Sequence, residues 1–199
     1  MKKWIGCILF CMVICCTFYL MSVVSDHNTL TNALIRMHVI ANSDDPQDQA
    51  VKLKVRDAIC ESIESDLSRI HDLDLARAYL IENIPKLEKL AKQVLISVGM
   101  DPEVTVSLED SYFPTRFYET FRLPAGIYEA LKITIGDGEG KNWWCVAFPS
   151  LCLYATEDEF QAAAVSAGFS ENLSNSMVPK SGCEIRFFIM DFLGKLQRR

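Results

Sequence analysis

Uncharged residues run unbroken from Trp4 to Val24, behind Met1-Lys2-Lys3 and ahead of Asp26. As a helix rising about 1.5 Å per residue this run spans roughly 31 Å, the thickness of a bilayer's hydrocarbon core. Two lysines before it and an acid after it predict an inside N-terminus and an outside body. Residues 1–25 therefore read as a signal peptide or a signal-anchor transmembrane helix, and residues 26–199 as one extracytoplasmic domain. A signal peptidase site wants small residues at −3 and −1. Ser25 could serve at −1 and Val23 is only acceptable at −3, but no Ala-x-Ala occurs and the apolar run is longer than a usual signal-peptide core, so retention as an anchor is favoured. Cys7, Cys11, Cys15 and Cys16 read as small apolar members of this helix, because Ile14 stands where a lipobox needs a small side chain.

The body changes period twice. Thr31 to Asn42 reads as a first strand, carrying Leu34, Met37, Val39 and Ile40. It stops in Ala41-Asn42-Ser43-Asp44-Asp45-Pro46, where Asp45 suits a helix N-cap, Pro46 the first helical position and Asp48 the first turn. Val51, Val55, Ile59, Ile63 and Leu67 then recur every fourth residue, predicting a helix to about Ser68 with Lys52, Lys54, Arg56 and Glu61 on its outer side. A second helical stripe (Ala76, Leu80, Ile84, then Leu87, Ala91, Val94) passes Pro85 and ends at Gly99, which fits a C′ position.

From residue 103 the pattern is that of strands. Val104 to Leu108 alternates, Gly126 to Ile135 follows, and Trp143 to Phe148 is predicted to return beside it as a β-hairpin across Gly136-Asp137-Gly138-Glu139-Gly140. That loop lacks the strand-to-helix context and Gly-Lys-Ser/Thr ending of a phosphate cradle. Glu157 to Ala167 reads as a short helix, Gly168 to Ser181 as loose, and Cys183 to Ile189 as a last strand. Strand, helices, then strands favours α+β: a membrane-spanning or signal helix, then one exported domain with an antiparallel or mixed sheet packed by two to three helices.

Composition narrows the function classes. The 199 residues are half apolar, which excludes a disordered chain. The net charge is −6, and excluding Lys2 and Lys3 leaves 18 basic against 26 acidic side chains. No basic face for nucleic acid is expected. Export would put Cys60, Cys145, Cys152 and Cys183 where disulfides persist. Cys145 and Cys152 are the closest pair, able to close a short loop across Pro149-Ser150 or to stay as two thiols on a buried strand. Neither Cys-x-x-Cys nor Cys/His ligand spacing occurs, so no metal or other cofactor is expected.

Catalytic constellations are sparse. His27, His38 and His71 are the only histidines. There is no Gly-x-Ser-x-Gly elbow and no His-Glu-x-x-His. Asp44-Asp45 and Glu109-Asp110 have plain capping or surface roles, so a non-enzymatic protein without a small-molecule substrate is expected. The unusual residues lie elsewhere. On a period of two, Arg36 and His38 share a strand face with Ile40 and Asn42. Together with Asp44 they read either as a recognition surface or as a hydrogen-bond network tying strand to helix. Trp143 and Trp144 point to opposite faces, so one indole can pack inside while the other projects towards a partner.

These residues carry a resemblance. Arg36-Met37-His38-Val39-Ile40-Ala41-Asn42-Ser43-Asp44, with Gln49 to Asp57 behind it, is similar to the opening of the stage II sporulation protein R family. So are Phe113-Pro114-Thr115-Arg116, Leu123 to Leu131, and Gly138 to Val146 with Phe148-Pro149 and Leu151-Cys152. The likeness covers roughly residues 30–190. The family usually has Leu where Met37 stands and a second proline near Ser150. The resemblance implies a protein made in the forespore and exported into the space between forespore and mother cell. There it would activate a membrane-bound aspartic protease, stage II sporulation protein GA, which processes the precursor of sigma-E. Arg36, His38, Asn42, Asp44, Trp143 and Trp144 are the candidate contacts to that partner. An envelope hydrolase using His38 and an anchored envelope scaffold are the alternatives.

Overall fold

The computed structural model describes residues 2–149, 157–166, 168–179 and 184–198. Helix α1 (Lys2–Asn32) leads into strand β1 (Ile35–Ile40), followed by helices α2 (Pro46–Leu67) and α3 (Leu73–Ser97). Then come β2 (Val104–Phe113), the two-residue strands β3 (Arg116–Phe117) and β4 (Arg122–Leu123), β5 (Gly126–Ile135) and β6 (Asn142–Phe148). Helices α4 (Glu157–Ser166), α5 (Glu171–Met177) and α6 (Glu184–Leu196) complete an α+β fold with a mixed sheet.

The four-stranded sheet has the order β2-β5-β1-β6. β1 runs parallel to β5 and antiparallel to β6, so it lies between the two strands expected to form a hairpin. The reason lies in the glycine-rich loop, which wraps the end of β1 instead of turning tightly. Glu139 N–H donates to the Asn42 carbonyl at 3.1 Å and Gly140 N–H to the Ala41 carbonyl at 2.9 Å.

Alternation along β1 divides two cores. Ile35, Met37 and Val39 face α2 and α3, joining the predicted stripe Val51, Val55, Ile59, Ile63 and Leu67. Pro85 sits inside the unbroken α3, and Gly99 takes its C′ position at φ +78°. The opposite face is covered over part of its length by the end of α1 and by α4–α6, around Phe113, Phe121, Tyr128 and Val146.

Three further expectations are corrected. The first helix does not stop at Asp26 but runs to Asn32, and the strand starts at Ile35 rather than Thr31. Val23, His27 and Leu30 recur at helical spacing and are buried, which carries the N-terminal apolar helix into the core of the body. Residues 184–196 form a helix, not a strand; Phe187, Met190 and Asp191 turn inward while Ile185, Phe188 and Phe192 turn out. An apolar run that short has no decisive period. Glu171–Met177, expected to be loose, is helical and capped by Ser170 Oγ, which accepts from Leu173 N–H at 3.2 Å.

Candidate functional site, an incompletely covered sheet face

Two rows of side chains cross the sheet beyond the edge of the α4–α6 layer. Register aligns Ser107, Lys132, His38 and Trp144 in one, and Thr105, Thr134, Ile40 and Asn142 in the next. All but His38 are partly or fully exposed, so this end of the sheet is open where the other end is closed. Lys132 Nζ donates to Glu109 Oε1 at 2.9 Å, and the ammonium lowers the Glu109 pKa.

His38 lies in the floor of this face. Its ring stacks on Trp144 with centroids 5.2 Å apart and planes 5° apart, and meets the edge of Phe113 at 5.3 Å. Both ring nitrogens are buried without a hydrogen-bond partner. Burial, with the Lys132 and Arg36 charges, pushes the His38 pKa down to about 4, so the imidazole is neutral at pH 7.

Arg36 lies deeper, fully enclosed. Its Nη2 donates to the Tyr118 hydroxyl at 2.6 Å, and its guanidinium sits 4.1 Å from the Phe113 centroid and 4.9 Å from that of Tyr128. Arg116, from the short β3, covers Trp144 at 5.0 Å. Phe113 and Arg116 carry one signal in the sequence, the segment Phe113-Pro114-Thr115-Arg116, and Tyr118 carries none.

Asn42 and Asp44 belong to a neighbouring lock at the end of the sheet. Asn42 Nδ2 and Ser43 Oγ both donate to Asp48 Oδ2, at 2.9 and 2.7 Å, and these bonds lower the Asp48 pKa. Asn42 Oδ1 accepts from Asp137 N–H at 3.1 Å, and Asp44 Oδ1 from Lys141 N–H at 2.8 Å. Asp48 thus accepts within the loop as well as standing in the first turn of α2, whereas Asp45 occupies the N-cap position without a side-chain cap bond. Lys52, expected on the surface, is buried instead. Its ammonium donates to Gln49 Oε1 at 2.6 Å and to the Lys141 carbonyl at 2.8 Å, tying α2 to the glycine loop.

The six candidate contacts therefore do not form one surface. Trp143 is 37% exposed on the α2 side, with the Arg56 guanidinium 4.1 Å from its ring. Trp144 and His38 lie on the other side, Arg36 is interior, and Asn42 and Asp44 sit at the sheet's end. Cys145 is disulfide-bonded, and its expected partner Cys152 lies outside the described residues. Among the described residues no three His, Cys, Asp or Glu side chains converge as metal ligands.

The family model of stage II sporulation protein R matches residues 31–158. A stage II sporulation protein R from Bacillus subtilis (strain 168) is 31% identical over 180 residues, covering 81% of this chain and 80% of its own length. No solved structure matches.

Proposed function

Because this chain belongs to the stage II sporulation protein R family, we propose that it is the exported forespore signal that activates the membrane-bound protease stage II sporulation protein GA. The protease would then process the precursor of sigma-E in the mother cell. The chain is a sporulation protein with an N-terminal apolar helix suited to a signal or membrane anchor. In this reading α1 spans the forespore membrane with its N-terminus inside, and residues beyond it occupy the intermembrane space.

The observation that carries the proposal is the incompletely covered sheet face around Trp144, backed by buried Arg36 and His38 side chains with nitrogens that have no hydrogen-bond partner. A ligand acts on a receptor by binding one of its states more tightly than the other, and that requires a shaped, preorganised surface rather than a reaction centre. Trp143, Trp144 and Asp44 are reachable from outside. Arg36 and His38 would act from behind, fixing the Trp144 and Phe113 rings. The hydrolase alternative draws less support, since the His38 ring meets aromatic rings and not a nucleophile.

Reconstitution tests the proposal. The full chain and the protease are placed in facing membranes or in mixed micelles with the sigma-E precursor, and cleavage is followed. Cleavage that depends on this chain, and falls at least tenfold with Trp144→Ala at unchanged melting temperature, supports the reading. Binding without cleavage would make the chain a scaffold. Turnover of an envelope substrate that is lost with His38→Gln would make it a hydrolase.

A further inference from the structure

Charge does not balance beneath the open face. Arg36 is wholly buried, yet its Nε and Nη1 have no acceptor, and Arg116 Nε is likewise buried without one. The two guanidiniums share one aromatic cluster: Arg36 rests on Phe113, Arg116 on Trp144, and the Phe113 and Trp144 centroids are 4.9 Å apart. Burial and the Arg36 charge both lower the Arg116 pKa. The carboxylates nearby are already engaged. Glu109 accepts from Lys132 and Ser107, and Asp191 from Lys195, Thr115 and the Ala125 N–H.

Aromatic faces and the Tyr118 and Tyr128 hydroxyls return only part of what a guanidinium loses on leaving water. A surface that merely needed packing there would carry Leu or Met. Buried, unsatisfied guanidinium donors in two adjacent side chains are the pattern of a site awaiting an anion, and guanidinium is the group best matched to a planar carboxylate. Arg116 and Trp144 are both partly exposed and form the approach.

We propose that Arg36 and Arg116 form a receptor for one carboxylate, supplied by an acidic side chain of a partner protein that enters past Trp144. His38 and Phe113 line its wall. Only the source of the carboxylate rests on the signalling reading above; the capacity to bind one does not, and it is measured without the protease.

The test uses the full chain in detergent micelles at pH 7, melted in sodium acetate, sodium chloride and sodium phosphate at matched ionic strength. Acetate is expected to raise the midpoint by several degrees over chloride, through ligand-linked stabilisation of the folded state. Arg116→Gln should abolish that increment and Arg116→Lys should keep part of it. Arg36 is interior and its replacement risks misfolding, so the wild-type protein supplies the second readout. The Nε–H resonances of Arg36 and Arg116 should move together on acetate titration, with saturation. Equal midpoints in acetate and chloride, an acetate increment that survives Arg116→Gln, or a larger effect of phosphate than of acetate would each overturn the proposal.

Discussion

The imidazole of His38 lies flat on the indole of Trp144, 5.2 Å between centroids, and neither of its ring nitrogens has a partner. Burial of the ring, reinforced by the Lys132 charge, makes the neutral imidazole the folded state's requirement. The folded pKa is depressed to about 4 from an ordinary 6.5, so below pH 6.5 the unfolded chain takes up a proton that the folded chain refuses. Stability present above pH 6.5 is therefore lost progressively down to about pH 4, to a limit of about 3 kcal/mol. Denaturation midpoints between pH 7.5 and 4.5 should fall more for the wild type than for His38→Gln. Parallel curves would remove His38 as the cause.

A second prediction concerns Gly136 and Asn42. Gly136 adopts φ +58°, and a Cβ there would collide with Asn42 Oδ1. Gly136→Ala thus combines a left-handed backbone with loss of the Asn42 bonds to Asp48 and Asp137. The expected loss is about 2–4 kcal/mol. Asn42→Ala, which keeps the glycine, should cost about 1–3 kcal/mol. Thermal melts of both variants check the order; equal stability of Gly136→Ala and wild type would contradict the described loop.

The part of the fold that the sequence made legible is the part with one clear period. The α2 stripe is buried as spaced, and β1 presents Ile35, Met37 and Val39 to one core and Arg36 and His38 to the other side. Two kinds of residue defeated that reading. Residues 184–196 are apolar on both sides, because α6 buries Phe187 and Met190 while leaving Phe188 and Phe192 exposed, and no period survives. The Gly136–Gly140 segment carries every sign of a local turn, yet its partners lie some 95 residues earlier in the chain. The site was half legible for the same reason. A shared strand face brought Arg36 and His38 together, whereas Arg116 and Tyr118 reach them from a separate two-stranded ribbon.

A third prediction follows from the disulfide at Cys145. If Cys152 is its partner, non-reducing peptide mapping should find a single crosslinked peptide holding residues 145 and 152. A loop this short contributes roughly 2–3 kcal/mol, so Cys152→Ser should lower the melting midpoint under oxidising conditions and match the wild type under reducing ones. A crosslink from Cys145 to Cys183 instead would reassign the pairing, since both candidate partners lie outside the described residues.

The last prediction concerns α1. Val23 and Leu30 have no exposed surface, and Arg186 from α6 donates to Asp26 Oδ2 at 2.6 Å and to Ser22 Oγ at 2.9 Å. The bond after Ser25, the candidate cleavage point, therefore lies in a helix pinned from both sides. Cleavage there would strip Val23 from the core and halve the Arg186 clamp. Signal peptidase needs an extended strand at the membrane surface, so folding and processing compete. The expected outcome is a cell-purified chain whose intact mass includes residues 1–25. Val23→Ala should cost about 1–3 kcal/mol, a loss that a removed leader residue could not cause. Arg186→Ala should loosen the helix and raise the processed fraction. A mature N-terminus at Asp26 in the wild type, with stability unchanged by Val23→Ala, would mean that residues 1–25 are a leader and that the body folds without them.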